Sequence, residues 1–162
     1  MTPEERKPKI EQYGAGFALL EETLQSIPRQ AWQFKPAPTE WSIHEIIIHI
    51  ADSETNAALR ARLLAAELGR PLMAYDQDKW AVELNYPQQD VEDALQLTKY
   101  ARLTTYKWLK TLPEAVFDHS ALHPEYDKPY TFNLWLNIYA GHIPGHVEQI
   151  KGNYAAWKQA NG

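Results

Sequence analysis

Cysteine is absent from this chain. Its absence excludes disulfides, thiolate metal sites and a cysteine nucleophile, and it suits a reducing compartment. Long apolar runs are absent too. The longest, IIIHIA from Ile46 to Ala51, is far shorter than the roughly 20 apolar residues a membrane-spanning helix needs. The opening MTPEERKPKIEQ has no apolar stretch of the kind a secretory signal carries. A cytoplasmic location is therefore the expectation. Positive charge is in deficit, with 16 Lys and Arg against 21 Asp and Glu and a pI near 5.7. Nucleic-acid binding usually needs a basic face, so the balance argues against it. Like charges do not run together into a docking tail. No G-x-S-x-G, P-loop or dinucleotide fingerprint is present, and no convincing strand.

What remains is 162 residues, 44% of them hydrophobic and 12% aromatic. That is one domain's worth. A chain of this size buries roughly 68–70% of its extended surface and needs no staple. Four stretches carry helical periodicity. In the first, Ile10, Tyr13, Phe17, Leu20, Leu24 and Ile27 recur at three- and four-residue steps. Pro28 and the Pro36–Pro38 run end it, and Pro8 argues against a regular first turn after Thr2. The second opens with Ser42 and Glu45 as a capping box. Its stripe is Ile46, Ile50, Ser53, Ala57, Ala61, Leu64 and Leu68, with Gly69 and Pro71 as the stop. The third starts at Asp90, buries Val91, Leu95, Thr98, Thr105, Leu109 and Leu112, and stops at Pro113. The fourth starts at Thr131 and places Trp135, Tyr139, His142, His146, Ile150, Asn153 and Trp157 on one face.

Two long connections separate these stretches. Residues 71–88 hold a helical turn around Trp80–Leu84 and are too aromatic, with Tyr75, Trp80 and Tyr86, to be disordered. Loops this long inside a compact domain are usually functional, so this one is expected to pack over one end of the bundle. Residues 118–132 could form a short hairpin. The pattern predicts an all-α four-helix bundle with long crossovers, with any cofactor site in its core.

The chemistry points to histidine. His142 and His146 are four residues apart, which stacks two imidazoles on one helix face, roughly 5–6 Å apart at Cβ. That face is the one expected to point inward. A buried imidazole needs a hydrogen-bond partner or a metal ion, and the spacing allows either. His49 is the third candidate, in WSIHEIIIHIADSE. Three histidines on one ion leave a coordination position open for chemistry. Glu45 and Asp52, about one turn to either side of His49, could orient ligand imidazoles, add a fourth ligand or act as a base. Asn56 and Arg60 continue that polar seam and read as its solvent boundary. His44, His119 and His123 are weaker candidates. Pro144, between Gly141 and Gly145, sits within the fourth helix at a cost of about 3 kcal/mol. It is either a simple kink or a device that orients the two histidines.

W-S-I-x-E-I-I-I-H-I-A-D-S-E at 41–54 and Y-A-x-H-x-x-x-H-x-x-Q-I at 139–150 resemble the DinB-like superfamily of metal-binding four-helix bundles. The resemblance covers essentially the whole chain. It implies a metal triad on His49, His142 and His146, holding a divalent ion, often nickel or zinc, with water completing the shell. It also implies homodimers and a small-molecule substrate. Characterised relatives include S-transferases that use bacillithiol or mycothiol and a mycothiol-dependent maleylpyruvate isomerase, and others carry the description of metal-dependent hydrolases. A thiol-dependent S-transferase is the expected function, a hydrolase or a non-catalytic metal- or ligand-binding protein its rivals. Tyr75, Trp80, Tyr86 and Tyr139 are expected to wall the pocket. With no cysteine in the chain, a thiol nucleophile comes from a small-molecule cosubstrate.

Overall fold

The computed structural model describes all 162 residues. Four long helices form the bundle: α1 (Pro3–Gln25), α2 (Ile43–Ala66), α4 (Val91–Leu109) and α5 (Phe132–Asn161), with a short α3 (Gln77–Glu83) in the first crossover. Helix α1 packs on α5 and α4, and α2 also packs on α5 and α4. Sequence neighbours α1 and α2 therefore sit across the diagonal, as do α4 and α5, and the segments joining them cross the ends of the bundle. The hairpin expected in the second crossover forms as two short antiparallel strands, β1 (Ser120–Ala121) and β2 (Tyr130–Thr131). No helix is long and apolar enough to cross a membrane.

The helix starts follow the capping residues. Ser42 and Glu45 form a reciprocal capping box, Asp90 accepts from two backbone N–H groups, and Thr131 caps α5. Helix α1 departs from expectation by running regularly from Pro3 through Pro8. Thr2 and Glu5 make a second capping box, Pro8 faces solvent, and the buried Arg6 anchors the first turn to Asn133 and Glu114. Helix α2 ends at Ala66, short of Leu68, which is left exposed, and Gly69 follows with φ +81°. The left-handed conformation there suits a residue without Cβ.

The core is divided. One apolar cluster gathers Leu20, Leu24, Ile46, Ile50, Ile143 and Ile150. The other gathers Tyr13, Ala57, Ala61, Leu109, Trp135 and Tyr139. Between them lies a polar layer whose centre is the buried ion pair of Arg102 on α4 and Glu54 on α2. Arg102 also donates to the carbonyls of Tyr13 and Tyr139 and lies over the Tyr13 ring. Gly16 makes room for it, since a Cβ there would stand 2.9 Å from the guanidinium. Burying charge of this kind is costly unless pairing and further hydrogen bonds offset it; here Glu54 Oε2 is left without a partner.

Candidate metal centre

His49 projects from α2, and His142 and His146 project from α5 toward it. Ring centroids are 4.7 Å apart for His142–His146, 4.8 Å for His49–His146 and 5.7 Å for His49–His142. One nitrogen from each ring lies within 4.8 Å of the others. His49 is fully buried, with the Trp41 ring against it at 4.7 Å. Asn153 on α5 holds Trp41 in place by donating to its carbonyl.

The hydrogen bonds favour one tautomer of each α5 imidazole. His142 Nδ1 donates to Glu54 Oε1 at 3.0 Å, and His146 Nδ1 donates to Gln149 Oε1 at 2.9 Å. Both acceptors lack a proton to give. With a proton on Nδ1 alone, each ring turns a bare Nε2 lone pair inward, and the two Nε2 atoms are 3.2 Å apart. Two lone pairs at that distance repel unless a cation lies between them. Two imidazoles on one tetrahedral zinc, with bonds of 2.0–2.1 Å, place their nitrogens about 3.3 Å apart. His49 Nδ1 is buried without any partner in the protein. Burial, reinforced by the neighbouring histidines, pushes His49 down to about 3 and His146 to about 4. Both are neutral at pH 7, the form that ligates metals. The residues present fit a divalent ion.

The carboxylate that serves this centre is Glu54. It binds His142 and Arg102 with the same oxygen. Glu45 and Asp52, the carboxylates that spacing picked out, are engaged elsewhere. Glu45 accepts from the Ser42 N–H and from Lys35, and Asp52 accepts from the Tyr86 hydroxyl at 2.6 Å. Spacing along one helix finds partners of His49, whereas Glu54 serves a ligand on a different helix. The available signal was a charged residue at 54, on the buried face between Ile50 and Ala57. The seam itself is not a solvent boundary: Asn56 and Arg60 are both buried. The 71–88 crossover lies over it, with Met73 accepting from Arg60 and Tyr86 bonding to Asp52.

Tyr139 packs against His142 with ring centroids 5.6 Å apart. Tyr75 lines a cleft with Arg60 and is backed by Trp80 at 4.4 Å. Tyr86 is completely buried and belongs to the core. A smaller cleft of about 250 Å³ opens onto His146 and is lined by Glu40, Trp41, Gln77, Asp78 and Gln149. The remaining histidines lie outside the three-histidine group: His44 bonds to Gln33, His119 to the Leu64 carbonyl, and His123 belongs to the second crossover.

Pro144 lies inside a continuous α5. Replacing it with alanine should restore one backbone hydrogen bond and raise the melting temperature. If the proline orients the two imidazoles, the variant also binds a divalent ion more weakly by calorimetry. Unchanged affinity would reduce Pro144 to a packing feature.

The fold is a four-helix bundle of crossed connectivity with three convergent histidines in its core, a candidate metal site. The model of one family, the DinB superfamily, matches residues 12–150, and the chain belongs to it. Among curated relatives, "Putative metal-dependent hydrolase YfiT" of Bacillus subtilis is 24% identical over 110 residues, 68% of this chain and 62% of that protein. A protein of the same description from Oceanobacillus iheyensis is 27% identical over 110 residues, 68% of this chain and 63% of its own. The matches thus span less than two thirds of those relatives' length. The solved structure of YfiT, described as a probable metal-dependent hydrolase with an unusual four-helix bundle topology, superposes with a TM-score of 0.86 at 20% identity. It covers 94% of this chain and 87% of that one, which shows the shared fold.

Proposed function

We propose that this protein is a metal-dependent enzyme in which His49, His142 and His146 hold a divalent ion, nickel or zinc, and in which a small thiol attacks an electrophilic substrate. The observation that carries the metal reading is the pair of bare Nε2 atoms 3.2 Å apart beside a third buried imidazole. A divalent ion held there supplies Lewis acidity, drawing a nucleophile toward its anionic form at neutral pH. The protein's own groups do the rest. Glu54 and Gln149 hold the two α5 imidazoles in one tautomer and orientation, as partners of metal-ligating histidines do. The apolar cluster around His49 excludes water from one side, and the cleft at His146, with Trp41 on its wall, admits reactants from the other.

The thiol reading is favoured by what each nucleophile asks of the nearby carboxylates. Glu45 is held through both oxygens, Asp52 through one by Tyr86, and Glu54 through one inside its ion pair with Arg102. A thiol, with a pKa near 8.5, needs far less help to ionise than water does. Three neutral ligands also leave an ion its full charge, which favours an anionic thiolate. Hydrolysis is the second reading, supported by the description that the relatives carry and by the exposed Glu40 and Asp78 at the mouth of the cleft.

Assays with a chlorinated aromatic separate the two. In thiol transfer the thiol gives its proton to solvent, the sulfur–carbon bond forms, and the carbon–chlorine bond breaks with chloride leaving. Metal-dependent product that requires added thiol is the expected result. Ester hydrolysis without thiol, at equal or greater rate, would transfer the assignment to a hydrolase. Neither activity above that of free metal ion would leave a metal-binding protein without catalysis.

A further inference from the structure

Three arginines are buried in the bundle: Arg6, Arg60 and Arg102. Arg6 is paired with Glu114 and Arg102 with Glu54. Arg60 has no carboxylate within 4.0 Å. A guanidinium removed from water without a counter-anion is strongly disfavoured, and arginine does not escape by losing its proton. Its hydrogen bonds are incomplete as well. Nη1 donates to the Tyr139 hydroxyl at 3.2 Å and Nη2 to the Met73 carbonyl at 2.6 Å, while Nε is buried with no acceptor. Every other buried arginine in this fold has its anion.

A second donor in the same region is also unmatched. His123 Nδ1 accepts the Glu125 N–H at 3.3 Å, so the neutral ring carries its proton on Nε2. That Nε2 is buried and has no acceptor. Burial first, and the Arg60 charge second, hold His123 below the usual imidazole range, which keeps the ring neutral.

Arg60 lines an open cleft of about 600 Å³ with Ala74, Tyr75, Asp76, Gln77 and Glu125. Gln77 also lines the smaller cleft at His146, so the two adjoin. Tyr139 links them from below, its hydroxyl on Arg60 and its ring against His142. We infer that Arg60 is the anion-recognition residue beside the three-histidine centre, and that one reactant of that centre carries a carboxylate seated on Arg60. The identity of the seated molecule as a reactant rests on the proposed reading of that centre; the anion site itself does not. One cation with unengaged N–H groups matches a planar monoanion, which a guanidinium binds through two parallel hydrogen bonds. Asp76 and Glu125 on the cleft wall repel any anion, a phosphate dianion more strongly than a carboxylate monoanion.

The test uses full-length protein stripped of metal over a chelating resin, so that no carboxylate binds through an ion. Benzoate, its neutral isostere benzamide and inorganic phosphate are titrated while melting temperature and tyrosine–tryptophan fluorescence are followed. Benzoate should give a saturable stabilisation, with benzamide and phosphate giving little. Arg60→Gln should weaken benzoate by about tenfold or more, and Arg60→Lys by less. Benzamide acting as well as benzoate, or benzoate binding unchanged in Arg60→Gln, would overturn the inference. Phosphate binding more tightly than benzoate would overturn the carboxylate assignment. If Arg60→Gln does not fold, the wild-type comparison of benzoate with benzamide and the Arg60→Lys variant decide. Zinc and nickel affinities of the wild type are measured separately. Benzoate binding without metal binding would defeat the three-histidine reading alone, and metal binding without benzoate binding would defeat the anion site alone.

Discussion

Replacing Glu54 with alanine is expected to lower the stability of the fold by about 3–5 kcal/mol, a fall of roughly 10 °C in melting temperature for a chain of this size. The cause is Arg102, 1% exposed and ion-paired to Glu54 across the bundle core. Without the carboxylate its charge stays buried and uncompensated. The double variant Glu54→Leu/Arg102→Leu should recover much of the loss, because exchanging a buried pair for apolar side chains is often neutral or better. The two residues share a contact, so their effects will not add. Metal binding separates the two roles of Glu54. In the double variant His142 Nδ1 has lost its acceptor, and affinity for a divalent ion should fall by about 10–100-fold even where stability returns. Urea titration and calorimetry on the single and double variants read both quantities. Full metal affinity in a stable double variant would confine Glu54 to the ion pair.

The bundle was legible because its helices state their own limits. Ser42 with Glu45, Asp90 and Thr131 mark starts, and Pro28, Gly69 and Pro113 mark stops. The meeting of His49, His142 and His146 was legible in the same way, since two lie one turn apart on an inward face and the third lies in an isoleucine-rich helix. The polar layer was harder to read. Arg102 lies on the buried stripe of α4, four residues after Thr98 and three before Thr105. Glu54 holds the corresponding place on α2, four after Ile50 and three before Ala57. Opposite charges on the buried faces of two helices are a visible signal, but only when both helices are considered together. Glu45 and Asp52 drew attention because they are near His49 along the chain, and Glu54 matters because it is near His142 in space.

Arg60 and Asn56 escaped recognition for a different reason. A polar seam beside an apolar stripe normally marks where solvent begins. Here the 71–88 crossover covers the seam, and a crossover carries no periodicity from which its docking site can be read. Its aromatic content announced that it would pack, and the hydrogen bonds of Met73 and Tyr86 show where. The same covering segment leaves the cleft open at Arg60 and Tyr75. Secondary structure therefore followed from local rules, whereas the surroundings of the centre depended on long-range docking.

His146→Ala should abolish metal binding while leaving the fold intact, since both apolar clusters are complete without it. In the wild type, an ion at 100 times its dissociation constant adds about 2.7 kcal/mol of stability by mass action, and the variant should show none of this shift. Acid gives an independent readout on the metal-free protein. His49 and His146 are held at about 3 and about 4, chiefly by burial. A folded-state value below the unfolded one means that the unfolded chain takes up protons first. From these two groups there is no pH dependence well above pH 6.5. As the pH falls through 6.5 toward 4 the unfolded state is increasingly favoured, and the loss levels off below the folded-state values. The urea midpoint of the metal-free wild type should therefore drop between pH 7.5 and 5, and His146→Ala should drop less because one buried imidazole is gone. For the same reason protons compete weakly for these two ligands, so acidification to pH 5.5 should not by itself displace a bound ion from them. Equal acid sensitivity in the two proteins would mean that His146 is solvated rather than buried neutral. A metal-induced shift that survives in His146→Ala would remove it from the ligand set.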